Sequence, residues 1–485
     1  MKTEKPNAPV IRGREPTALF RYFEEISAIP RGSYHEEKIA DYLVGFARER
    51  GLECYRDKEN NVLIKAPASA DRTGSAPLML QGHTDMVCEK NRDVEHDFLT
   101  DPIELWVDGN FLRAKGTTLG ADDGIAVAIM LALLDGAVAS HPAYECLFTT
   151  AEEVGLDGAE AFDYSRISAR RMINLDNEDL DVVTIGCAGG VRTDLETDYP
   201  EEPFTGEAIR VQVSGLIGGH SGSDINSGRA NANRIMGRLL AGLFRAVDAR
   251  VASVCGGSKD NAIPRECEAV LAVPDADQAQ SLLAEYAQAI GGELSPEDRD
   301  FCVTVEDCDA PAGMMSRADS DRLATVLACS SIGVLAMSRM VPGLVEYSRN
   351  LAVVRVGENR AAITFSSRSS RESQLDATER ELELLAGTLG FSVSHRGRYP
   401  GWTCTEHSDL REAYLAVYRE MMGKDAIVNV IHAGLECGII YSAMPDTDII
   451  SIGPTMRDIH SPNEALDLDA TETFWKILAR LIETI

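Results

Sequence analysis

The chain has 485 residues, 44% of them hydrophobic, which is enough for a sizeable core and, at roughly 100–200 residues per domain, for two to four domains. Its 47 Lys and Arg against 77 Asp and Glu leave a net charge of −30, a field that repels nucleic acid and anionic membrane surfaces and excludes both as partners. The 11 cysteines are scattered with no C-x-x-C pair, the longest apolar run (residues 124–134) is far short of the ~20 residues of a membrane span, and the opening M-K-T-E-K-P-N-A-P has no apolar signal core; the expectation is reduced thiols in a cytoplasmic protein.

Apolar residues recur at helical spacing over 16–52 and break at P-R-G (30–32), which predicts two amphipathic helices and a turn. Short apolar runs at 61–65, 77–81, 145–150 and 172–175 read as strands, with a strongly helical 124–134 between the second and third. Strands alternating with helices predict an α/β sheet. The pattern changes at A-G-G (188–190): strand-like alternation at 208–213, a Gly-rich turn, a helix over 230–244, a strand at 270–273, helices at 277–290 and 320–327, strands at 352–356 and 361–365, and a charged helix over 373–389. From 409 the first pattern resumes with a helix, a strand at 448–452 and a terminal amphipathic helix from 471. The expected organisation is a catalytic α/β domain in two parts, 1–190 and 401–485, interrupted by an inserted α+β domain over 191–400.

Acidic residues and His stand just after strand-like runs at five places. They are Q-G-H-T-D-M-V with His83 and Asp85, L-G-A-D-D-G with Asp122 and Asp123, T-T-A-E-E-V-G with Glu152 and Glu153, I-N-L-D-N-E-D with Asp176, and M-R-D-I-H-S-P-N-E with His460. Singly, each has a bland reading: a polar loop, a helix N-terminus favoured by carboxylates, a solvated Glu pair. Together they matter because, in open α/β sheets, the C-terminal ends of the strands converge on one ligand crevice. Two His and several carboxylates without thiolate suit Zn²⁺, Mn²⁺ or Co²⁺ rather than a structural Cys-type zinc site.

In this order, H-T-D-M-V, G-A-D-D-G, A-E-E-V-G, N-L-D and I-H-S-P-N-E resemble the di-zinc peptidases that include carnosinases, aminoacylases and carboxypeptidase G. The strings G-C-A-G-G, G-G-H-S-G, N-A-I-P-R, H-A-G-L-E-C-G and G-P-T-M-R-D-I-H-S-P resemble a bacterial branch of that family that cleaves Xaa-His dipeptides. The resemblance implies a mixed sheet flanked by helices with an inserted lid domain, and two divalent metals, Zn first among the candidates. It assigns His83, Asp122 and Asp176 to one metal and Asp122, Glu153 and His460 to the other. Asp122 bridges. Asp85 orients the His83 ring through its other N–H, and Glu152 is the general base for a water activated between the metals. Adjacent Glu152 and Glu153 are expected to diverge because successive side chains in extended backbone point opposite ways.

The same resemblance makes His220, in the Gly-rich turn, a donor to the substrate carbonyl, and Asn261 a second contact there. Arg368 takes the substrate carboxylate, with Arg371 as its rival, and Gly434 and Glu436 line the pocket for the amino end. Binding and metal ligation would thus be divided between domains that close over substrate, with hinges near residues 189–190 and 401. The implied activity is a cytoplasmic metallo-dipeptidase acting on short peptides with a free carboxylate, such as β-alanyl-histidine. An N-acyl-amino-acid deacylase or a broader di- or tripeptidase shares the same core, and a non-catalytic metal-binding protein is the rival from another class. The resemblance also allows a homodimer through the inserted domain, and leaves open whether His220 serves its own subunit or the neighbouring one.

Overall fold

The computed structural model describes residues 10–339 and 341–485. The opening segment read above for a signal core, residues 1–9, lies outside them. Contacts divide the chain into two compact units: 1–187 with 402–430 and 435–485, and 188–401 with the short return 431–434.

The first unit is built on an eight-stranded sheet in the order Glu53–Arg56, Val62–Ala66, Tyr144–Thr149, Leu78–His83, Arg171–Asn174, Asp448–Ser451, Val182–Cys187, Ile427–Ile431. Its four central strands are parallel. Two of them, Tyr144–Thr149 and Leu78–His83, are buried along their whole length, the near-continuous apolar run expected of strands covered on both faces. Helices Thr17–Ser27 and Glu37–Glu49 occupy the amphipathic stretch at 16–52. Helix Ala121–Leu134 is buried on every side, which is why its sequence is apolar all round rather than striped. A second, four-stranded sheet pairs the hairpin Leu105–Asp108/Phe111–Ala114 with Ala465–Asp467 and Met456–Arg457, so that H-S-P-N-E is the loop of a short hairpin.

The second unit is an antiparallel nine-stranded sheet with helices Ala232–Ala246, Ala276–Gly291, Arg317–Cys329 and Glu372–Leu389 packed over one continuous apolar core. Strand Glu207–Ser214 shows the alternation of a sheet with one covered face. All 11 cysteines are free, and among the described residues no helix is long and apolar enough to cross a membrane.

Candidate active site

The parallel register sets the ends of the central strands level: His83 pairs with Thr149, Gln81 with Asn174, and Ser451 with Asn174. Every chain that leaves this edge carries a site residue. His83 ends its strand, Glu152 and Glu153 follow Thr149, Asp176 follows Asn174, and His460 lies on the hairpin loop beyond Ser451. Asp122 and Asp123 interrupt the first turn of helix Ala121–Leu134 with extended and bridge dihedrals, so regular helix begins only after them.

Asp122 stands between the two histidines. Its Oδ1 is 3.1 Å from His83 Nε2 and its Oδ2 is 3.0 Å from His460 Nε2, while Glu153 Oε2 is 3.0 Å from the same His460 nitrogen. Asp176 Oδ1 lies 3.9 Å from His83 Nε2 and Glu152 Oε2 4.0 Å from it. Among the described residues, two triads bring ligand atoms within 4.8 Å of one another: His83, Asp122 and Glu153, and His83, Asp123 and Asp176. Asp123, to which the motif reading gave no role, is therefore in reach of the same centre, although its Oδ2 also accepts the His83 backbone N–H at 3.3 Å.

Burial of so many carboxyls has electrostatic consequences. Desolvation and the neighbouring Asp123 push Asp176 well above the carboxylate range. Desolvation raises Glu152 to about 8, opposed by His83 and reinforced by Glu436, Glu153 and Asp122. Desolvation of Asp122 is overcome by His460 and His83, which hold it well below its ordinary value. His460, hydrogen-bonded by Asp122 and Glu153, is raised to about 10. Buried Glu153 Oε1 and Asp123 Oδ1 have no hydrogen-bond partner. A mixed N/O donor set with orphaned buried carboxylate oxygens and one carboxylate facing two ways fits a pair of divalent cations.

Two local expectations are corrected. Glu152 and Glu153 are not in extended backbone; they open a four-residue helix, Glu152–Gly155, after Ala151 in the left-handed region at φ 51°, so helical rotation separates their side chains. The His83 Nδ1 lies 3.2 Å from the backbone carbonyl of Asp85, nearer than the Asp85 carboxylate at 3.5 Å. The carboxylate instead accepts the N–H groups of Glu152 (3.1 Å) and Glu153 (3.3 Å) and the Ser33 hydroxyl (2.8 Å). Asp85 thus orients the glutamate pair as well as facing the histidine.

Glu436 is fully buried in the first unit, where Oε2 accepts from Gln81 Nε2 (2.5 Å) and Thr149 Oγ1 (2.8 Å) while Oε1 has no partner. Burial raises it to about 7. Gly434 belongs to the second unit and packs on the Tyr399 ring.

In the second unit, strand pairing aligns Ser348, Arg368 and Gly190 across three adjacent strands, with Tyr399 opposite Gly190 on the fourth. Tyr399 Oη fills the space a side chain at Gly190 would need and accepts from Arg368 Nη1 at 3.2 Å. Arg368 is buried and its Nε has no partner; among the described residues no carboxylate forms an ion pair with it. Arg371 differs: its Nε is paired with Glu346 at 3.0 Å. His220 Nδ1 accepts the backbone N–H groups of Gly222 and Ser223, both at 3.2 Å, which leaves the ring proton on Nε2 as an outward donor. Burial and the Arg368 charge hold His220 below its ordinary value, in the neutral form. Asn261 is exposed, and its carbonyl accepts from Ser221 N at 2.8 Å, tying down the same loop. His432, which the motif reading passed over, makes a 2.7 Å hydrogen bond with Ser348 and is lowered to about 4 by burial and Arg368.

The sequence reading also missed the residues that hold the centre in place. In P-R-G-S-Y-H-E, Arg31 donates to the Thr84 and Asp85 carbonyls, Ser33 to Asp85, and Glu36 accepts the Ala151 N–H at 2.9 Å. Five polar side chains in six residues, 31–36, between two amphipathic helices were the available signal.

This arrangement has close counterparts. The chain is 36% identical over 474 residues, 97% of its length and 98% of the relative's, to the cytosol non-specific dipeptidase of Escherichia coli. It superposes on the crystal structure of aminoacylhistidine dipeptidase from Vibrio alginolyticus with a TM-score of 0.94 at 36% identity, covering 98% of this chain and 97% of that one. Aminopeptidase PepT from Bacillus cereus shares the fold alone, with a TM-score of 0.55 at 15% identity and coverage of 96% and 97%. The family model for peptidase family M20/M25/M40 matches residues 79–484, from the strand that ends in His83 to the terminal helix. The chain belongs to that family and is a peptide-bond hydrolase.

Proposed function

We propose that the chain is a two-metal dipeptidase acting on peptides with a free ammonium and a free carboxylate, Xaa-His dipeptides among them. The observation that carries this reading is Asp122, with one oxygen on His83 and the other on His460. In it, His83, Asp122 and Asp176 hold one cation and Asp122, Glu153 and His460 the other, with zinc the first candidate. When bound, the cations polarise the scissile carbonyl and lower the pKa of a nearby water.

The chain's own groups do the rest. Glu152 takes the proton from the attacking water and returns it to the leaving amine. Asp85 fixes where Glu152 stands by accepting its backbone N–H. His220 donates through Nε2 to the carbonyl oxygen as charge develops there, with Asn261 as a second contact. Arg368 takes the substrate carboxylate, which its planar guanidinium, with Nε unpartnered, can grip with two bonds; the pairing of Arg371 with Glu346 favours Arg368 over its rival. Gly434 and Glu436 serve the amino end, Glu436 through its unpartnered buried oxygen. A cytosolic setting suits the 11 free thiols.

The test is turnover of Xaa-His, its N-acetylated form and its C-terminal amide, with and without a chelator. Activity on the free dipeptide that the chelator abolishes is expected. Preference for the N-acetylated form would instead make the chain a deacylase, and turnover unaffected by metal removal would overturn the mechanism.

A further inference from the structure

Arg31 is a buried cation whose hydrogen-bond acceptors are all backbone carbonyls. Its Nη1 donates to Thr84 O (2.9 Å) and Asp85 O (3.1 Å), the two residues after His83, and its Nη2 donates to Gly120 O. Glu464, equally buried, addresses the same turn. It accepts the N–H groups of Leu119 (2.7 Å), Gly120 (2.9 Å), Ala121 (2.8 Å) and Asp122 (3.3 Å).

The Gly120 carbonyl and the Ala121 N–H belong to one peptide group. That amide accepts from a guanidinium at its oxygen and donates to a carboxylate from its nitrogen, so two buried opposite charges are joined through a polarised peptide. Charge-assisted bonds of this kind are about twice as strong as neutral ones, and each polarises the next. The sequence is shaped around the contact. Gly120 has φ +68°, and a Cβ there would lie 2.6 Å from Arg31 Nη2; at Gly124 the distance would be 2.5 Å. Both glycines of L-G-A-D-D-G make room for the guanidinium.

We propose that Arg31 and Glu464 are positioning residues for the metal centre, acting as one peptide-bridged ion pair that sets Asp122 between His83 and His460. The inference rests on the reading of those three side chains as ligands. Each end of the pair belongs to a different ligand segment. Arg31 grips the chain just beyond His83, Glu464 lies four residues beyond His460 on the same hairpin loop, and the turn between them delivers Asp122. Neither residue need touch substrate or metal.

The test is a double-mutant cycle on the full chain. Wild type, Arg31→Met, Glu464→Gln and the double variant are stripped with a chelator and titrated with Zn²⁺ and Co²⁺ by calorimetry; metal-free melting temperature, kcat and KM are measured alongside. A glutamine offers one acceptor oxygen and turns an NH₂ toward N–H donors. Each single variant should bind metal about 10–100-fold more weakly and lose kcat, with KM changed by no more than about twofold because substrate contacts are untouched. The double variant should be no worse than the weaker single one, because breaking either end removes the same bridge. Single variants that bind metal as tightly as wild type, or losses that multiply in the double, overturn the proposal. If these variants fail to fold, Arg31→Lys and Glu464→Asp, which keep charge but lose the fork or the reach, carry the test: weaker metal binding at an unchanged metal-free melting temperature supports it, and unchanged metal binding overturns it. A wild-type protein that bound neither Zn²⁺ nor Co²⁺ would instead overturn the reading of the centre itself, and the proposal with it.

Discussion

The two groups of candidate site residues, one in each unit, are buried with opposite charge. In the first, Asp122, Asp123, Asp176, Glu152, Glu153 and Glu436 crowd the ends of the parallel strands against His83 and His460, and the burial drives Glu152, Asp176 and Glu436 upward. In the second, Arg368 is buried with a tyrosine hydroxyl and, among the described residues, no carboxylate paired with it, and both neighbouring histidines are pushed downward. Buried charge is costly unless compensated, so each region is built to be completed by something of the other sign. Cations suit the first and a carboxylate the second. A dipeptide hydrolase needs both, and the contrast can be broken one residue at a time.

The largest effect is expected at Glu152. Glu152→Gln keeps the shape of the side chain but cannot take a proton, so kcat should fall about 10²–10⁴-fold while metal analysis still finds the wild-type stoichiometry. Near-native turnover would remove the general base from the mechanism. Next comes His220→Ala, which should cost about 10²–10³ in kcat with metal content unchanged. Mixing this variant with Glu152→Gln asks whether His220 acts within its own chain: restored activity would mean that two copies pair and exchange it.

Arg368→Ala should act on binding. A charge-assisted hydrogen bond contributes about 1.5–3 kcal/mol, so KM should rise about 10–150-fold with kcat less affected. The preference for a free carboxylate over its amide should vanish in the same variant. If Arg371→Ala, and not Arg368→Ala, produced this pattern, the pairing of Arg371 with Glu346 would have misled.

Much of this was legible in sequence, for identifiable reasons. The central strands announced themselves because burial on both faces demands unbroken apolar runs, and the helices because one face must be apolar. Strands Glu53–Arg56, Cys302–Asp307 and Ser392–Tyr399 escaped because none of their residues is fully buried, so their residues are mixed. The motif-bearing side chains were readable because that chemistry needs particular residue types. Arg31 and Glu464 were not, because they act on carbonyls and amides, groups every residue possesses and no sequence distinguishes. Ser348 and His432 lie 84 residues apart and meet only through the fold.

The smallest effect, and the most direct test of the contrast, is the titration of His432. Its ring is buried beside Arg368 and His220, both of which disfavour a further positive charge; the Val345 carbonyl opposes them, and the ring is also hydrogen-bonded to Ser348. The balance holds its pKa at about 4, against an ordinary 6.5. The sign follows from proton counting: between these values the folded ring binds fewer protons than the unfolded one, so its contribution to stability is complete above pH 6.5 and is lost as the pH falls toward 4. At full effect this is on the order of 3 kcal/mol. The ring can be followed by NMR, with His432→Asn identifying its resonance. An inflection near pH 4 that moves upward in Arg368→Gln is the expected result, since removing the guanidinium removes the permanent positive charge that opposes protonation. An inflection near 6.5 in the wild type, or one indifferent to Arg368, would mean that the guanidinium does not set the charge of this face of the second unit.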